Sequence, residues 1–249
     1  MDQTQDVSKD FWLAALQREA AAFRVAVDEP DPSAPVPSCP EWTVDDLVVH
    51  LGRVYGFVHR VLDAAGDKPE RYHERPAGAD VLPWFDDVFA TLVTRLDATE
   101  PEARAWNWSR QPKLAGFWPR RMAHETAVHR WDADMVAGMA EPVEPDLAAD
   151  GVSEVLDTWL PAGRGTATDA ATGLVRLSAT DLDRTWLVRT RAEGVTLLDE
   201  STVFEAAAEA QTGLGGTASD LLLALWGRLN VTALALEGDP ARFAALQVG

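Results

Sequence analysis

The sequence predicts an N-terminal bundle of four helices followed by a smaller domain of mixed α+β structure. In the first half, apolar residues recur at about every 3.6 positions, the period of an amphipathic helix. In the second half, short runs with the period of about two that is typical of strands lie between helical stretches. A chain of 249 residues is also long enough for two domains with separate cores.

Four segments with an apolar stripe make up the predicted bundle. They are Lys9–Asp28, Thr43–Leu62, Val81–Leu96 and Phe117–Met139. Thr43 and Asp46 have the spacing of a capping box at the start of the second helix, and Pro119 lies in the first turn of the fourth, where its missing N–H is harmless. The proline-rich link of residues 29–42 is expected to form a stiff, extended crossover.

The segment Ala140–Glu144 interrupts the helical pattern and predicts a boundary between a bundle of residues 1–143 and an α+β domain of residues 144–249. Beyond it we expect a helix near Leu147–Leu160, a helix from Thr217 to Leu229 and a short helix starting at Asp239. Four strand-like runs, punctuated by Gly173, Gly194 and Gly213, lie between the first two of these helices: Leu174–Ala179, Thr185–Thr190, Val195–Leu198 and Val203–Ala208.

The fourth predicted helix carries ionisable groups on a face that should be apolar. At about 3.6 residues per turn, one stripe contains Trp118, Met122, Glu125, His129, Asp132, Val136 and Met139. An unpaired buried charge is strongly destabilising, so the groups in the middle of this stripe need compensation. A bound cation is one way to provide it.

His50 supplies a third candidate ligand from the second helix, where it flanks the apolar seam and is turned toward the interior. With Glu125 and His129 it gives a His₂Glu set, and three protein ligands with one open position are typical of a catalytic zinc site. Spacing alone leaves a simpler interpretation open. Glu125 and His129 can form a solvated i,i+4 pair, and His50 can be an ordinary half-buried histidine.

Three further residues are candidates for contacts with a bound cofactor. Asp132 lies one turn beyond His129, so we expect it to orient a ligand imidazole or a bound substrate rather than to be a fourth ligand. Most of the ten tryptophans are expected to fill gaps between helices. Trp106 and Trp108 lie in the loop-like segment AWNWSRQP and are expected to line the mouth of a pocket.

Composition excludes several classes of protein. With 22 Lys and Arg against 40 Asp and Glu, the net charge of −18 argues against nucleic acid or an anionic membrane as a partner. No apolar run approaches transmembrane length and the start, MDQTQDVSKD, has no signal-peptide character, so a cytoplasmic protein is expected. The single cysteine, Cys39, excludes an internal disulfide. The sequence does not indicate the oligomeric state.

Two helical motifs and the C-terminal part resemble a known family. CPEWTVDDLVVHLGRV (Cys39–Val54) and RRMAHETAVHRWDAD (Arg120–Asp134) resemble the mycothiol-dependent maleylpyruvate isomerase family, which belongs to the DinB-like metal-binding four-helix proteins. ASDLLLALWGRL (Ala218–Leu229) resembles the family's smaller, sterol-carrier-like domain. The resemblance implies that His50, Glu125 and His129 bind a divalent metal, usually zinc. It also implies that Arg228 takes part in activity, although an exposed arginine at a helix end is equally compatible with the sequence.

The resemblance further implies chemistry with mycothiol, a low-molecular-weight thiol, as cosubstrate. Coordination would deprotonate the thiol, and the thiolate would add to the cis double bond of an electrophilic small molecule. Rotation and expulsion of the thiol would give the trans isomer, whereas a thiol that stays attached would make the protein a thiol S-transferase. Arg228 is suited to hold a substrate carboxylate bidentately from the cleft between the domains.

Two other functions remain open at this point. One is a non-catalytic protein that keeps the bundle for a ligand or partner, with a structural metal or none. The other is a metal hydrolase with Glu125 as general base, and it is the least favoured because E-x-x-x-H differs from the H-E-x-x-H motif of zinc proteases.

Overall fold

A computed structural model describes residues 8–69, 74–165, 172–191, 194–198 and 210–248 of the chain. It confirms the fold class, because a helical N-terminal part precedes a smaller region that contains the main sheet. The chain forms two compact units. The first consists of Met1–Asn107 and Gln111–Glu141, and the second of Trp108–Arg110 and Pro142–Gly249.

The first unit contains the four predicted helices, whose observed ends lie within two residues of the predicted ones. They are α1 (Lys9–Ala26), α2 (Val44–Asp63), α3 (Val81–Ala98) and α4 (Phe117–Ala137). Helix α1 packs against α4, and α2 packs against both α3 and α4. Residues from α2 and α4 are therefore neighbours inside this unit.

Local signals fix the ends of the two helices that matter most for the site. The Thr43 hydroxyl accepts a hydrogen bond from the backbone N–H of Asp46, and the Asp46 carboxylate accepts one from the N–H of Thr43, which confirms the capping box. Helix α4 is terminated by its C-cap residue Gly138, which has a left-handed φ of +71°. The placement of Met139 on the buried stripe was therefore wrong, since the helix stops before it and its surface is 75% exposed.

The proline-rich link is more ordered than the sequence predicted. Strand β1 (Pro35–Val36) pairs antiparallel with β2 (Cys39–Thr43) and forms a small hairpin. The backbone N–H groups of Val44 and Asp45 donate to carbonyls of residues 34 and 32, at 3.0 and 2.9 Å. These bonds tie the hairpin to the first turn of α2.

The second unit contains a five-stranded sheet and flanking helices. Helix α5 (Pro145–Glu154) continues as a single π turn (Val155–Trp159). The strands are β3 (Gly173–Ala179), β4 (Arg184–Arg191), β5 (Gly194–Leu197), β6 (Thr212–Gly216) and β7 (Ala235–Gly238). Their order is β5-β4-β3-β6-β7, with β3 and β6 parallel and the other pairs antiparallel. Helix α6 (Ala218–Leu225) follows β6, and α7 (Pro240–Ala244) lies near the C-terminus.

The sequence predicted this unit less completely than the first. The strands β3, β4 and β5 are confirmed, whereas β6 and β7 were not predicted, and the strand expected at Val203–Ala208 lies outside the described residues. The helix that was expected to reach Leu229 ends at Leu225, and Gly227 follows with a φ of +68°. Among the described helices, none is both long and apolar enough to cross a membrane.

Candidate metal centre

Three side chains that are far apart in sequence converge inside the first unit. The Nε2 atom of His50, on α2, lies 3.3 Å from Oε1 of Glu125, on α4. The Nε2 atom of His129, one turn further along α4, lies 3.5 Å from the same oxygen. One potential ligand atom from each residue lies within 4.8 Å of the other two. Two imidazole nitrogens and a carboxylate oxygen around one point fit a divalent cation such as zinc.

Glu125 is held by a buried arginine one turn before it. The Arg121 guanidinium donates a 2.6 Å hydrogen bond to Oε2 of Glu125, and the Arg121 side chain is only 3% exposed. This pairing leaves Oε1 directed at the two histidines. Burial raises the pKa of Glu125, but hydrogen bonds with His129 and His50 and the charge of Arg121 outweigh burial and hold that pKa well below its ordinary value. Glu125 is therefore ionised at neutral pH.

His129 is supported on the nitrogen that faces away from Glu125. Its Nδ1 lies 2.8 Å from Oδ2 of Asp132, which is fully buried. The other Asp132 oxygen accepts a 2.6 Å hydrogen bond from the Ser38 hydroxyl, and the Cys39 thiol lies 3.8 Å from Oδ2. Burial lowers the pKa of His129, but the Asp132 and Glu125 carboxylates outweigh burial and raise that pKa to about 9. A carboxylate on Nδ1 is the usual way to fix the ring of a metal-binding histidine.

An aromatic side chain from the hairpin lies beside both histidines. The ring centroid of Trp42, on β2, is 4.7 Å from that of His50 and 6.0 Å from that of His129. The two imidazoles are themselves 4.9 Å apart, in an edge-to-face arrangement. Neither Trp42 nor Arg121 was identified from the sequence. The signals that point to them are positional, since Trp42 directly precedes the cap of α2 and Arg121 lies four residues before Glu125.

Comparison with family models covers both units. Residues 13–134 match the mycothiol maleylpyruvate isomerase N-terminal domain, and residues 146–245 match the model described as the MDMPI C-terminal domain. The chain belongs to the mycothiol-dependent maleylpyruvate isomerase family. The N-terminal match includes the two helical motifs that carry the sequence resemblance, and therefore His50, Glu125 and His129.

Two solved structures have the same fold. The crystal structure of the mycothiol-dependent maleylpyruvate isomerase matches with a TM-score of 0.64 and 13% identity, over 95% of each chain. The crystal structure of a histidine-to-alanine mutant of that isomerase matches with a TM-score of 0.62 and 12% identity, again over 95% of each chain. No curated protein sequence is significantly similar to the chain. At these identities, the structural matches establish the fold and leave the reaction open.

The remaining candidate residues of this family member lie in different units. Trp106 belongs to the first unit, where its carbonyl accepts a 3.0 Å hydrogen bond from the Trp118 indole. Trp108 belongs to the second unit, where its ring lies 4.5 Å from that of Trp159. Arg228 follows α6 in the second unit, and its guanidinium donates a 3.0 Å hydrogen bond to the Trp226 carbonyl. The proposed roles of all three in ligand binding stay predictions.

Proposed function

We propose that the chain is a metal-dependent, mycothiol-using enzyme that activates a thiolate for addition to an electrophilic small molecule, and that it acts as a cis–trans isomerase of the maleylpyruvate type. Membership of the mycothiol-dependent maleylpyruvate isomerase family supports the thiol and the reaction class. The observation that supports metal dependence is the convergence of one potential ligand atom each from His50, Glu125 and His129 within 4.8 Å.

In this proposal the three converging residues hold one divalent ion, which we propose to be zinc. Three protein ligands leave a position for the sulfur of the thiol. A metal bound there would lower the pKa of the coordinated thiol and so supply a nucleophilic thiolate at neutral pH. The hydrogen bonds between Asp132 and His129 and between Arg121 and Glu125 would keep these two ligands oriented for the ion.

The proposed isomerisation is balanced without an external oxidant or reductant. The sulfur forms a bond to one carbon of the cis double bond, and the electron pair of that double bond moves toward the adjacent carbonyl. The former double bond is now a single bond between two carbons, and rotation about it follows. The electron pair then returns, the carbon–sulfur bond breaks, and the trans isomer and the thiolate are released. Arg228 is proposed to bind a carboxylate of the substrate, because a guanidinium can hold it through two parallel hydrogen bonds.

A transferase would share the first step of this reaction. If the adduct takes up a proton before the carbon–sulfur bond breaks, the product is a stable thioether. Incubation of the protein with maleylpyruvate and mycothiol, followed by NMR of the products, separates these outcomes. A trans isomer with free mycothiol supports the isomerase, and a thioether supports the S-transferase.

The metal centre is tested by metal analysis of the purified protein and of three variants, His50→Ala, Glu125→Ala and His129→Ala. We expect about one divalent ion per wild-type chain and loss of the ion and of turnover in each variant. His59→Ala is the matched control, because His59 also lies on α2 but its imidazole pairs with Asp63. Full metal content in all three variants would contradict the assignment of these residues as ligands. A folded, metal-free wild type would favour a non-catalytic binding protein.

A further inference from the structure

The two histidines of the candidate metal centre are supported unequally. His129 is held at both ring nitrogens, by Glu125 at Nε2 and by Asp132 at Nδ1. His50 meets Glu125 through Nε2, and the described residues give its Nδ1 no hydrogen-bond partner. The His50 side chain is also 35% exposed, against 7% for that of His129. Within the described residues, the bond to Glu125 thus holds the His50 ring at one nitrogen, without the second support that His129 has.

The indole of Trp42 packs against the His50 ring. The two ring centroids are 4.7 Å apart and the planes are tilted by 41°, which is a close aromatic contact. Rotation of an imidazole about its last torsion angle has a broad energy profile, so packing on the ring decides which way Nε2 faces. The indole lies where it limits that rotation.

The backbone of Trp42 is fixed by strand pairing and by the helix cap that follows it. It belongs to β2, whose pairing with β1 includes Val36 with Cys39 and Pro35 with Thr43. The next residue, Thr43, is the N-cap of α2 and is locked by its capping box with Asp46. The same hairpin also carries Ser38, which donates to Asp132. One hairpin thus supports both histidines. Its Trp42 packs on His50, and its Ser38 bonds to the Asp132 carboxylate that holds His129.

We propose that Trp42 is a positioning residue of the metal centre: its indole holds the His50 imidazole with Nε2 turned toward Glu125 and His129, as Asp132 does for His129. The inference rests on the proposed function, because orienting His50 matters only if these residues bind a metal. An imidazole that is already oriented loses less conformational freedom on binding, so the contact raises metal affinity without contributing a ligand.

The test is Zn²⁺ affinity, measured on the full chain by competition with a chromophoric chelator. Loss of a group that orients a metal ligand typically weakens affinity by about 10- to 100-fold. We expect about a tenfold loss for Trp42→Ala and for Trp42→Leu, which keeps bulk but not the flat ring, whereas Trp42→Phe should stay close to wild type. Phe89→Ala is the matched control, because Phe89 is also half-buried but its ring packs on Tyr55 and Phe85.

Two further measurements separate orientation from general stability. The visible spectrum of the Co²⁺-substituted protein reports ligand geometry and should change in Trp42→Leu but not in Phe89→Ala. The melting temperature of the metal-free variants shows whether the fold is intact. A Trp42→Leu protein with wild-type Zn²⁺ affinity and Co²⁺ spectrum overturns the inference alone. A wild-type protein that binds neither ion overturns the proposed function and this inference with it.

Discussion

At the scale of single residues, α4 can be buried on almost all sides because its polar side chains pair with charged partners on α4 itself or on α1. The Arg130 guanidinium, for example, donates to Glu19 of α1 at 3.1 Å, and both side chains are at most 6% exposed. Removing one member of such a buried pair leaves a charge without a partner, which is strongly destabilising. The pairs Arg121–Glu125 and His129–Asp132 follow the same rule, and they also fix the atoms that face the candidate metal centre.

Asp132→Asn tests whether the support of His129 tunes the metal centre. The amide keeps the size of the side chain but removes the charge that the Nδ1 proton faces, so we expect Zn²⁺ affinity to fall by about tenfold. Chelator competition measures it. Ser38→Ala is the control, since it removes only the hydroxyl bonded to the other Asp132 oxygen and should have a smaller effect. Unchanged affinity in Asp132→Asn would mean that Asp132 serves folding alone.

The pH dependence of stability tests the charge on His129 in the metal-free protein. Its pKa is raised from 6.5 to about 9 in the folded state, so the stabilisation is complete below pH 6.5 and is lost as the pH rises through 9. The depressed pKa of Glu125 keeps that carboxylate ionised over this window. In urea unfolding with EDTA present, the stability advantage of wild type over His129→Gln should shrink by roughly 3 kcal/mol as the pH rises across this range. A stability advantage that stays constant with pH would contradict a raised pKa of His129 in the folded protein.

The residues of the candidate centre differ in how well the sequence could indicate them. The helical period places His50, Glu125 and His129 toward the interior, the family resemblance implies that they are ligands, and the structure brings them together. Arg121 was missed because arginine is mostly exposed in proteins, and its position four residues before Glu125 is equally compatible with an exposed i,i+4 pair. Trp42 was missed because it lies in the proline-rich link, where no period predicts the pairing that forms the hairpin.

At the scale of elements, α2 reaches its position through a close approach to α3. A Cβ atom added at Gly52 would lie 2.5 Å from the Trp84 ring, which is nearer than real side-chain contacts allow. Trp84 is buried at 7% exposure and has little room to move. The absence of a side chain at Gly52 thus sets the spacing of the helix that carries His50 two residues earlier.

Gly52→Ala should therefore destabilise the protein, although alanine favours helix by about 1 kcal/mol over glycine. Overpacking of a filled core costs roughly 1–3 kcal/mol, and we expect a net loss of about 1 kcal/mol in urea unfolding. The control is a double-mutant cycle with Trp84→Leu, in which the smaller side chain should relieve the clash. Strictly additive effects of the two substitutions would show that the contact does not limit the helix spacing.

The elements that the sequence failed to predict lack local signals. The helices have caps and long apolar stripes, and their ends follow from Thr43, Gly138 and similar residues. Strand β6 reads TGLGG and has neither alternation nor β-branched side chains beyond Thr212, so its identity depends on pairing with β3 on one side and β7 on the other. Pairing between segments that are distant in sequence is not visible in a local pattern.

At the scale of the whole molecule, the proposed functions are divided between the two units. His50, Glu125, His129, Asp132 and Trp42 all belong to the first unit, and Arg228 belongs to the second. The net charge of −18 is unfavourable for an anionic substrate, so a carboxylate needs a local cation where it binds. Metal binding should then depend on the first unit alone, and turnover on both.

A fragment that ends near Pro145 tests this division. It keeps all three proposed ligands and the residues that orient them, so we expect Zn²⁺ affinity within a few-fold of the full chain. Turnover of maleylpyruvate with mycothiol should be largely lost, because the fragment lacks Arg228. Circular dichroism establishes that the fragment is helical before either comparison is made. A fragment that binds no zinc although it is folded would place part of the metal centre outside the first unit.

Substitution of Arg228 in the full chain is the matched control for the fragment. Arg228→Lys keeps the charge but loses the planar fork, so if the carboxylate is held bidentately its kcat/KM should fall nearly as far as that of Arg228→Ala, by roughly 10- to 100-fold. Zn²⁺ affinity should stay at the wild-type level in both variants. If Arg228→Ala turns over substrate as well as wild type at low and at saturating concentration, Arg228 has no part in the reaction. A loss of activity in the fragment would then have to come from another residue of the second unit.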